Sequence, residues 1–301
     1  MKLTILGCHS ATPTASTRPT SQVLEIRGNL FLIDCGEGTQ MAMRTSRVKF
    51  SRIKNIFISH LHGDHFFGLI GMISTFCLLG RDTPLTIYGP KGIREIILLQ
   101  LKLTKSYTTF DLRFRESESK ESQLIYEDDK VTVTTIPLDH RVYTNGYLFE
   151  EKPLDRKLDI VACEEYGVDH AYYRKVKQGH DIELANGEVI SNDLLTLNPV
   201  AAKSYAFCSD TMYKPDIVPI IKNATVLYHE STFLKSHENL CERTKHSTAA
   251  QAADIAKQAN VGTLILGHYS TRYGDYELFR KEAQEIFPTV ELAADGKVFE
   301  F

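Results

Sequence analysis

No stretch of this 301-residue sequence stays apolar long enough to span a bilayer. The opening Met1-Lys2-Leu3-Thr4-Ile5-Leu6 is too short for a signal-peptide core and leads into a turn rather than a cleavage site. Both absences point to the cytoplasm. The six cysteines (Cys8, Cys35, Cys77, Cys163, Cys208, Cys241) are scattered and include no C-x-x-C pair. That excludes a structural zinc knuckle and a disulfide framework, and the thiols read as buried and reduced. There is no excess of positive charge either: the formal net charge is −3. A nucleic-acid partner therefore has to be held by a local patch. What remains is the composition of a globular protein, 43% hydrophobic and 24% charged.

The sequence is organised around Ser59-His60-Leu61-His62-Gly63-Asp64-His65, an H-x-H-x-D-H pattern. The apolar run Asn55-Ile56-Phe57-Ile58 before it reads as a buried strand, and Phe66 to Ile73 after it as the start of a buried helix. The four side chains thus fall on the loop leaving a strand, where a tight turn can aim them inward. Apolar flanks distinguish this loop from a solvated histidine-rich turn. A catalytic zinc takes three protein ligands and keeps one position open. Four candidates in one loop are too many for one such ion and point to a pair, about 3.5–4 Å apart in two-metal sites.

The rest of the chain repeats the logic of a strand followed by a ligand. Lys2 to Leu6 is a strand, and Ser21 to Ile26 with Asn29 to Ile33 form a hairpin turned at Arg27-Gly28. The glycine-rich corner Asp34-Cys35-Gly36-Glu37-Gly38-Thr39-Gln40 opens a helix. Pro84 to Tyr88 is a strand and Gly92 to Leu103 a helix. Lys130 to Ile136 is a strand ending at His140, and Asn145 to Phe149 is a further strand. Ser204 to Ser209 ends at Asp210, Thr225 to Tyr228 at His229-Glu230, and Thr263 to Leu266 at His268. Helices are expected over Ile217 to Lys222, Thr248 to Gln258 and Tyr276 to Phe287. Two halves of strands and helices with ligands at one edge imply an α/β, αββα sandwich. His9, His170, His180 and His237 read as structural or surface residues, and His229 as packing beside the site.

Two segments depart from this pattern. Gln40 to Asn55 carries Arg44, Arg47, Lys49, Arg52 and Lys54 and no acid. It reads either as a solvated face or as a phosphate-steering patch beside the chemistry. Residues from about Glu150 to Asn198 hold eleven acids and six bases and break the alternation, as an insertion would. Within it Arg174, Lys175 and Lys177 offer a cationic edge on a helix-like piece, Ala171 to Gln178.

The ordered motifs T-I-L-G-x-x-x-A-T-P-T, D-C-G-E-G-T-Q, S-H-L-H-G-D-H, S-D-T, H-E-S-T, H-S-T-A-A-Q-A and L-G-H-Y-S-x-R-Y cover nearly the whole chain. Together they resemble ribonuclease Z, the endonuclease family that matures the 3′ end of transfer RNA. The resemblance implies a four-layer αββα metallo-β-lactamase sandwich spanning residues 1–301 as one catalytic domain, with a flexible exosite arm inserted over about 150–198. It implies two zinc ions, with manganese or another divalent metal as substitutes: His60, His62 and His140 on one ion, Asp64, His65 and His268 on the other, Asp210 bridging. Asp64 also accepts a proton from the attacking water. His246 then protonates the departing 3′ oxygen, and Glu230 orients it. The implied substrate is precursor transfer RNA, cut on the 3′ side of the discriminator nucleotide, and the implied assembly a homodimer. The family arm carries a Gly-Pro pair before its lysine-bearing helix, where this chain has Asp169-His170-Ala171-Tyr172. The rival with the same fold is a hydrolase of small phosphodiesters, esters or lactones. A di-iron oxidoreductase calls for a further carboxylate in place of His62 and a flavin domain, and neither is in the sequence. A non-catalytic RNA-binding module would have no use for all seven ligands.

Overall fold

The alternation of side chains along the first strands dictates where the layers go. In the strand Asn29–Ile33, Phe31 and Ile33 join one apolar cluster while Leu30 and Leu32 join another. A strand buried on both faces must be covered on both, by a second sheet on one side and helices on the other. The computed structural model, which describes all residues 1–301, has that arrangement.

The first sheet contains β1 (Lys2–Gly7), β2 (Ser21–Ile26), β3 (Asn29–Ile33), β4 (Ile53–Phe57), β5 (Leu85–Pro90) and β6 (Leu112–Ser117). Neighbours from β1 to β3 run antiparallel and those from β3 to β6 parallel. Its outer face is covered by α1 (Thr39–Thr45), α3 (Gly68–Leu78) and α4 (Ile93–Leu103), while α2 (Gly63–Phe66) is a single turn within the histidine loop. Leu69, Met72, Ile73 and Phe76 of α3 pack with Leu32, Ile56 and Ile87. The second sheet begins with β7 (Leu124–Glu127), β8 (Val131–Pro137) and β9 (Asn145–Glu151). Between the sheets lies an aromatic layer: Phe57 meets Tyr147 and Phe149 at ring-centroid distances of 5.3 and 5.2 Å, and Phe31 meets Phe149 at 5.5 Å. Edge-to-face pairs at these distances contribute about 0.5–1.5 kcal/mol each beyond their area.

The chain then forms a separate compact unit, Glu151–Ala202. It holds the two-residue strands β10 (Lys157–Leu158), β11 (Ile182–Glu183), β12 (Val189–Ile190) and β13 (Thr196–Leu197), paired β10 with β13 and β11 with β12. Its short helices are α5 (Ile160–Glu165), α6 (Tyr173–Lys177) and α7 (Asn192–Leu195). Cys163, Val168, Val176, Ile182, Ile190 and Leu195 make a core of its own. The Arg156 guanidinium ties it together, donating to Asp193 Oδ1 and Thr196 Oγ1 at 2.6 Å each. An insertion was expected here as an arm; the segment is a small folded unit.

The second sheet resumes with β14 (Ser204–Cys208), β15 (Val226–Glu230), β16 (Thr263–Gly267) and β17 (Val290–Leu292), in the order β17-β16-β15-β14-β9-β8-β7. β14 lies antiparallel to β9, so that Ser204 faces Glu150 across one rung. After the turn α8 (Cys241–Thr244), α9 (Ala249–Gln258) and α10 (Glu277–Gln284) cover this sheet. β18 (Val298–Glu300) returns to pair with β1. Thr248 caps α9 in a reciprocal box with Gln251.

One expected helix is absent. Ile217 to Lys222 forms only the end of a 3-10 turn, Pro215–Ile217, followed by further turns. Pro219 has no N–H to donate, so the regular ladder of helix bonds is broken there and the apolar run does not propagate. β6, β7, β17 and β18 were not anticipated. All are short edge or near-edge strands, and β6 reads LRFRES, with too little apolar content to announce itself.

Candidate metal centre

Every candidate ligand follows the end of a strand. Asp34 follows β3, the His60–His65 loop follows β4, His140 follows β8, Asp210 follows β14 and His268 follows β16. Three of these adopt left-handed backbone, with φ of 54° at Asp34, 59° at Asp210 and 59° at His268. Such φ values are uncommon outside glycine and cost energy at His268 in particular, a pattern that concentrates at functional sites. The sharp turn is what swings each side chain across the rim.

The ring nitrogens are assigned by their other partners. His65 Nδ1 donates to Asp34 Oδ2 at 2.6 Å, which leaves Nε2 as the lone-pair nitrogen. Ser59 Oγ donates to the same Oδ2 at 2.9 Å, so it accepts from His60 Nδ1 at 3.0 Å. His60 Nε2 is then a lone pair too. Thr232 Oγ1 donates to Glu230 Oε2 at 2.7 Å and accepts from His268 Nδ1 at 3.0 Å, freeing His268 Nε2. His140 Nδ1 donates to the Lys245 carbonyl at 2.9 Å. Outer partners of this kind orient metal-binding histidines.

The freed nitrogens converge in two sets. His60 Nε2 and His140 Nε2 lie 3.0 and 3.2 Å from His62 Nδ1. Asp210 Oδ2 is 3.7 Å from both His60 and His140. Its other oxygen, Oδ1, is 3.1 Å from His65 Nε2 and 3.1 Å from His268 Nε2. Asp64 Oδ2 completes that second set, 3.4 Å from His65 and 3.8 Å from His268. Asp210 therefore spans the two sets, one oxygen toward each.

This arrangement asks for cations. His65 Nε2 and His268 Nε2 are buried without a hydrogen bond. A lone pair facing a carboxylate oxygen at 3.1 Å is repulsive until positive charge sits between them. Burial drives the pKa values of His60, His62 and His140 below the usual range, so protons do not supply that charge there. At His65, burial also opposes protonation, but Asp210, Asp34 and Asp64 together raise the pKa well above the ordinary value. That spot stabilises a positive charge. Five imidazoles and two carboxylates are a donor set whose chemistry suits divalent metal.

Beside the two sets stands His246. Its Nδ1 lies 2.7 Å from Glu230 Oε1, and its ring is 5.1 Å from His140 and 5.3 Å from His268. Glu230 is fully buried, yet the Thr211 N–H donates to its Oε1 at 2.9 Å, and the Thr232 N–H and hydroxyl donate to Oε2. Burial alone depresses the His246 pKa, but the Glu230 carboxylate overrides it and raises it to about 9. Lys245, with φ of 59°, turns the chain that presents His246.

Sequence reasoning passed over Asp34, which sets the tautomers of two rings. Its signal was an acid closing an apolar strand two residues before a glycine. The rest of that corner braces the histidine loop. The Cys35 N–H donates to the His65 carbonyl at 2.7 Å, and the Gly68 N–H to the Cys35 carbonyl at 2.9 Å. A Cβ on Gly36 would stand 2.4 Å from the Asp64 carbonyl oxygen, so only glycine fits.

The basic run does not join the site. Arg52 ends the turn that enters β4, where it pairs with Glu25 Oε1 at 2.7 Å, whereas the ligands follow the strand's exit. Arg44 lies over the Phe50 ring, and Arg47 and Lys49 line a small cavity with Arg52. Lys54 is exposed on the strand itself. Arg174, Lys175 and Lys177 are exposed on α6 in the separate unit, with Lys175 over the Tyr172 ring. His229 is buried, its Nδ1 donating to the Glu230 carbonyl at 2.7 Å. His9 is buried as well, with Nε2 3.2 Å from the Tyr276 hydroxyl. No helix is long and apolar enough to cross a membrane.

Comparison with known proteins places this rim among relatives. A Ribonuclease Z of Bacteroides thetaiotaomicron is 48% identical over 295 residues, covering 98% of this chain and 93% of the relative. A Ribonuclease Z of Porphyromonas gingivalis is 44% identical, covering 95% and 94%. Among solved structures, the short form of human tRNase Z is similar, at a TM-score of 0.72 and 25% identity, over 100% of this chain and 99% of that one. The metallo-β-lactamase fold protein YhfI from Bacillus subtilis superposes at a TM-score of 0.68 and 20% identity, over 99% and 98%. Residues 1–184 match the family described as Anti-Pycsar protein Apyc1. The chain belongs to the ribonuclease Z family, with the metallo-β-lactamase fold, and through its first 184 residues also to the Apyc1 family.

Proposed function

We propose that this chain is a zinc-dependent endoribonuclease that cuts precursor transfer RNA on the 3′ side of the discriminator nucleotide, leaving a 3′ hydroxyl. The observation that carries the reading is the His246–Glu230 pair set beside two ligand sets that share Asp210. His60, His62, His140 and Asp210 would hold one zinc ion, and Asp64, His65, His268 and Asp210 a second. When bound, such a pair lowers the pKa of water toward neutrality and neutralises charge on the phosphoryl oxygens. Asp64 sits at the rim to accept a hydrogen bond and a proton from the attacking water. His246, protonated at neutral pH because Glu230 holds its Nδ1–H, delivers a proton from Nε2 to the departing 3′ oxygen. Thr211 and Thr232 keep Glu230 ionised and still.

A wider reading goes with this one. The enzyme works in the cytoplasm as a homodimer, and Arg174, Lys175 and Lys177 of the 151–202 unit grip the substrate body. All six cysteines are free, as reducing surroundings allow. The test is cleavage of precursor transfer RNA by the zinc-loaded protein, with the product end mapped, against His65→Ala. Cleavage after the discriminator by the wild type alone is expected. Intact RNA alongside turnover of small phosphodiesters, esters or lactones would replace this reading with that of a small-molecule hydrolase.

A further inference from the structure

The reaction above uses the rim but leaves unexplained a cleft of about 600 Å3 that opens directly beside His140. Lys120, Arg141 and Lys214 line it from three separate segments of the chain, together with Tyr213. Arg141 follows ligand His140 in the chain, is exposed, and is close enough for its charge to bear on His62 and His246. The acids of the cleft are Asp139 and Asp216, and Asp139 is already engaged by Lys245 Nζ at 3.6 Å. Lys120, Arg141 and Lys214 form no salt bridge. In a chain of net charge −3, three cations without salt bridges in one cleft, against the single unpaired acid Asp216, are not general basicity. They create a local positive field next to a site that handles a phosphodiester. Tyr213 offers a ring held in place by its hydroxyl, which donates to Asp254.

We infer that this cleft binds the RNA strand adjoining the scissile phosphate, with a backbone phosphate on Arg141 and Lys214 and a base against Tyr213. The inference rests on the ribonuclease reading and adds the residues that position the strand. It also relocates phosphate steering from the Arg44–Lys54 run to cations that meet only in the fold. Phosphate contacts fix register without reading sequence, and each one gives a salt-dependent increment of binding.

The test is Arg141→Ala/Lys214→Ala in the zinc-loaded full chain, with precursor transfer RNA, between about 50 and 200 mM salt. The effect is expected on KM rather than kcat, with KM rising about tenfold at the low-salt end. The slope of log KM against log salt should fall by roughly 0.7, the increment for one phosphate contact to a single strand. Arg141→Lys/Lys214→Arg should restore the slope, which a merely structural role would not predict. An unchanged slope in the alanine variant, or a loss confined to kcat, overturns the inference. Fluorescence anisotropy with the same RNA separates two failures. Binding without cleavage by the wild type overturns the ribonuclease reading, whereas equal binding by wild type and alanine variant overturns the cleft.

Discussion

Glu230→Gln isolates the acid. The substitution keeps the shape of the side chain and removes its charge, and the structure says what that charge does. Burial pushes His246 toward the neutral ring, and Glu230 lifts its pKa from the ordinary 6.5 to about 9. The difference is about 3 kcal/mol at 1.36 kcal/mol per unit. The sign is fixed by the direction of that shift: the proton is held below about pH 9 and lost as pH rises through it. Without the carboxylate, burial is opposed only by the weaker pull of Asp210, and the ring reverts toward the ordinary value of about 6.5. At pH 7.5 the protonated share then falls from nearly all to about a tenth. Adding the loss of orientation, kcat should drop roughly ten- to a hundredfold. The alkaline limb of the pH profile should move down from about 9. The decisive comparison uses a substrate whose 3′ bridging oxygen is sulfur, a leaving group that needs no proton. On it, Glu230→Gln should be within a few-fold of wild type. The amide would also face the Thr232 donors that now point at Oε2, so about 1–3 kcal/mol of stability is expected to go. Zinc content is measured alongside. An alkaline limb that stays near 9, or an equal defect on both substrates, would refute His246 as the acid.

Asp34→Asn replaces an acceptor of three hydrogen bonds with a group that donates, which turns the His65 and His60 rings out of their lone-pair orientation. Zinc affinity, read by chelator competition, should fall about 10- to 100-fold while the unfolding transition stays cooperative. Gly68→Ala puts a Cβ 2.2 Å from the Gly36 carbonyl oxygen, a backbone atom that cannot swing away. It should lower stability by about 1–3 kcal/mol in a thermal melt, with loss of zinc following because the same corner braces the histidine loop.

What could be read in advance was whatever is local along the chain. The H-x-H-x-D-H loop announces itself because four ligands fall within six positions, and His140, Asp210 and His268 because each ends an apolar run. The helix α9, expected over Thr248 to Gln258, was legible for the same reason. Adjacency in sequence misled where a strand intervenes. Arg44 to Lys54 stand just before the histidine loop in the chain, but β4 carries the ligands to its far end. Asp34 left only a faint local trace, and the cleft beside His140 was out of reach, because it depends on which distant segments the sandwich brings together. The 151–202 unit was visible as a break in pattern. Its folding was not, because its core is six residues spread thinly among charged ones.

The rung between Glu150 and Ser204 has a consequence for how this chain can change. The strands on either side of the insertion are neighbours, so everything between them hangs from a single hairpin whose tip has grown into a folded module. Closing a longer loop adds only a small entropic penalty, about 0.6 kcal/mol for each doubling. A short turn grafted across the rung would leave every ladder bond of the sheet in place. The 151–202 unit and the sandwich can therefore be inherited, swapped or trimmed independently of each other.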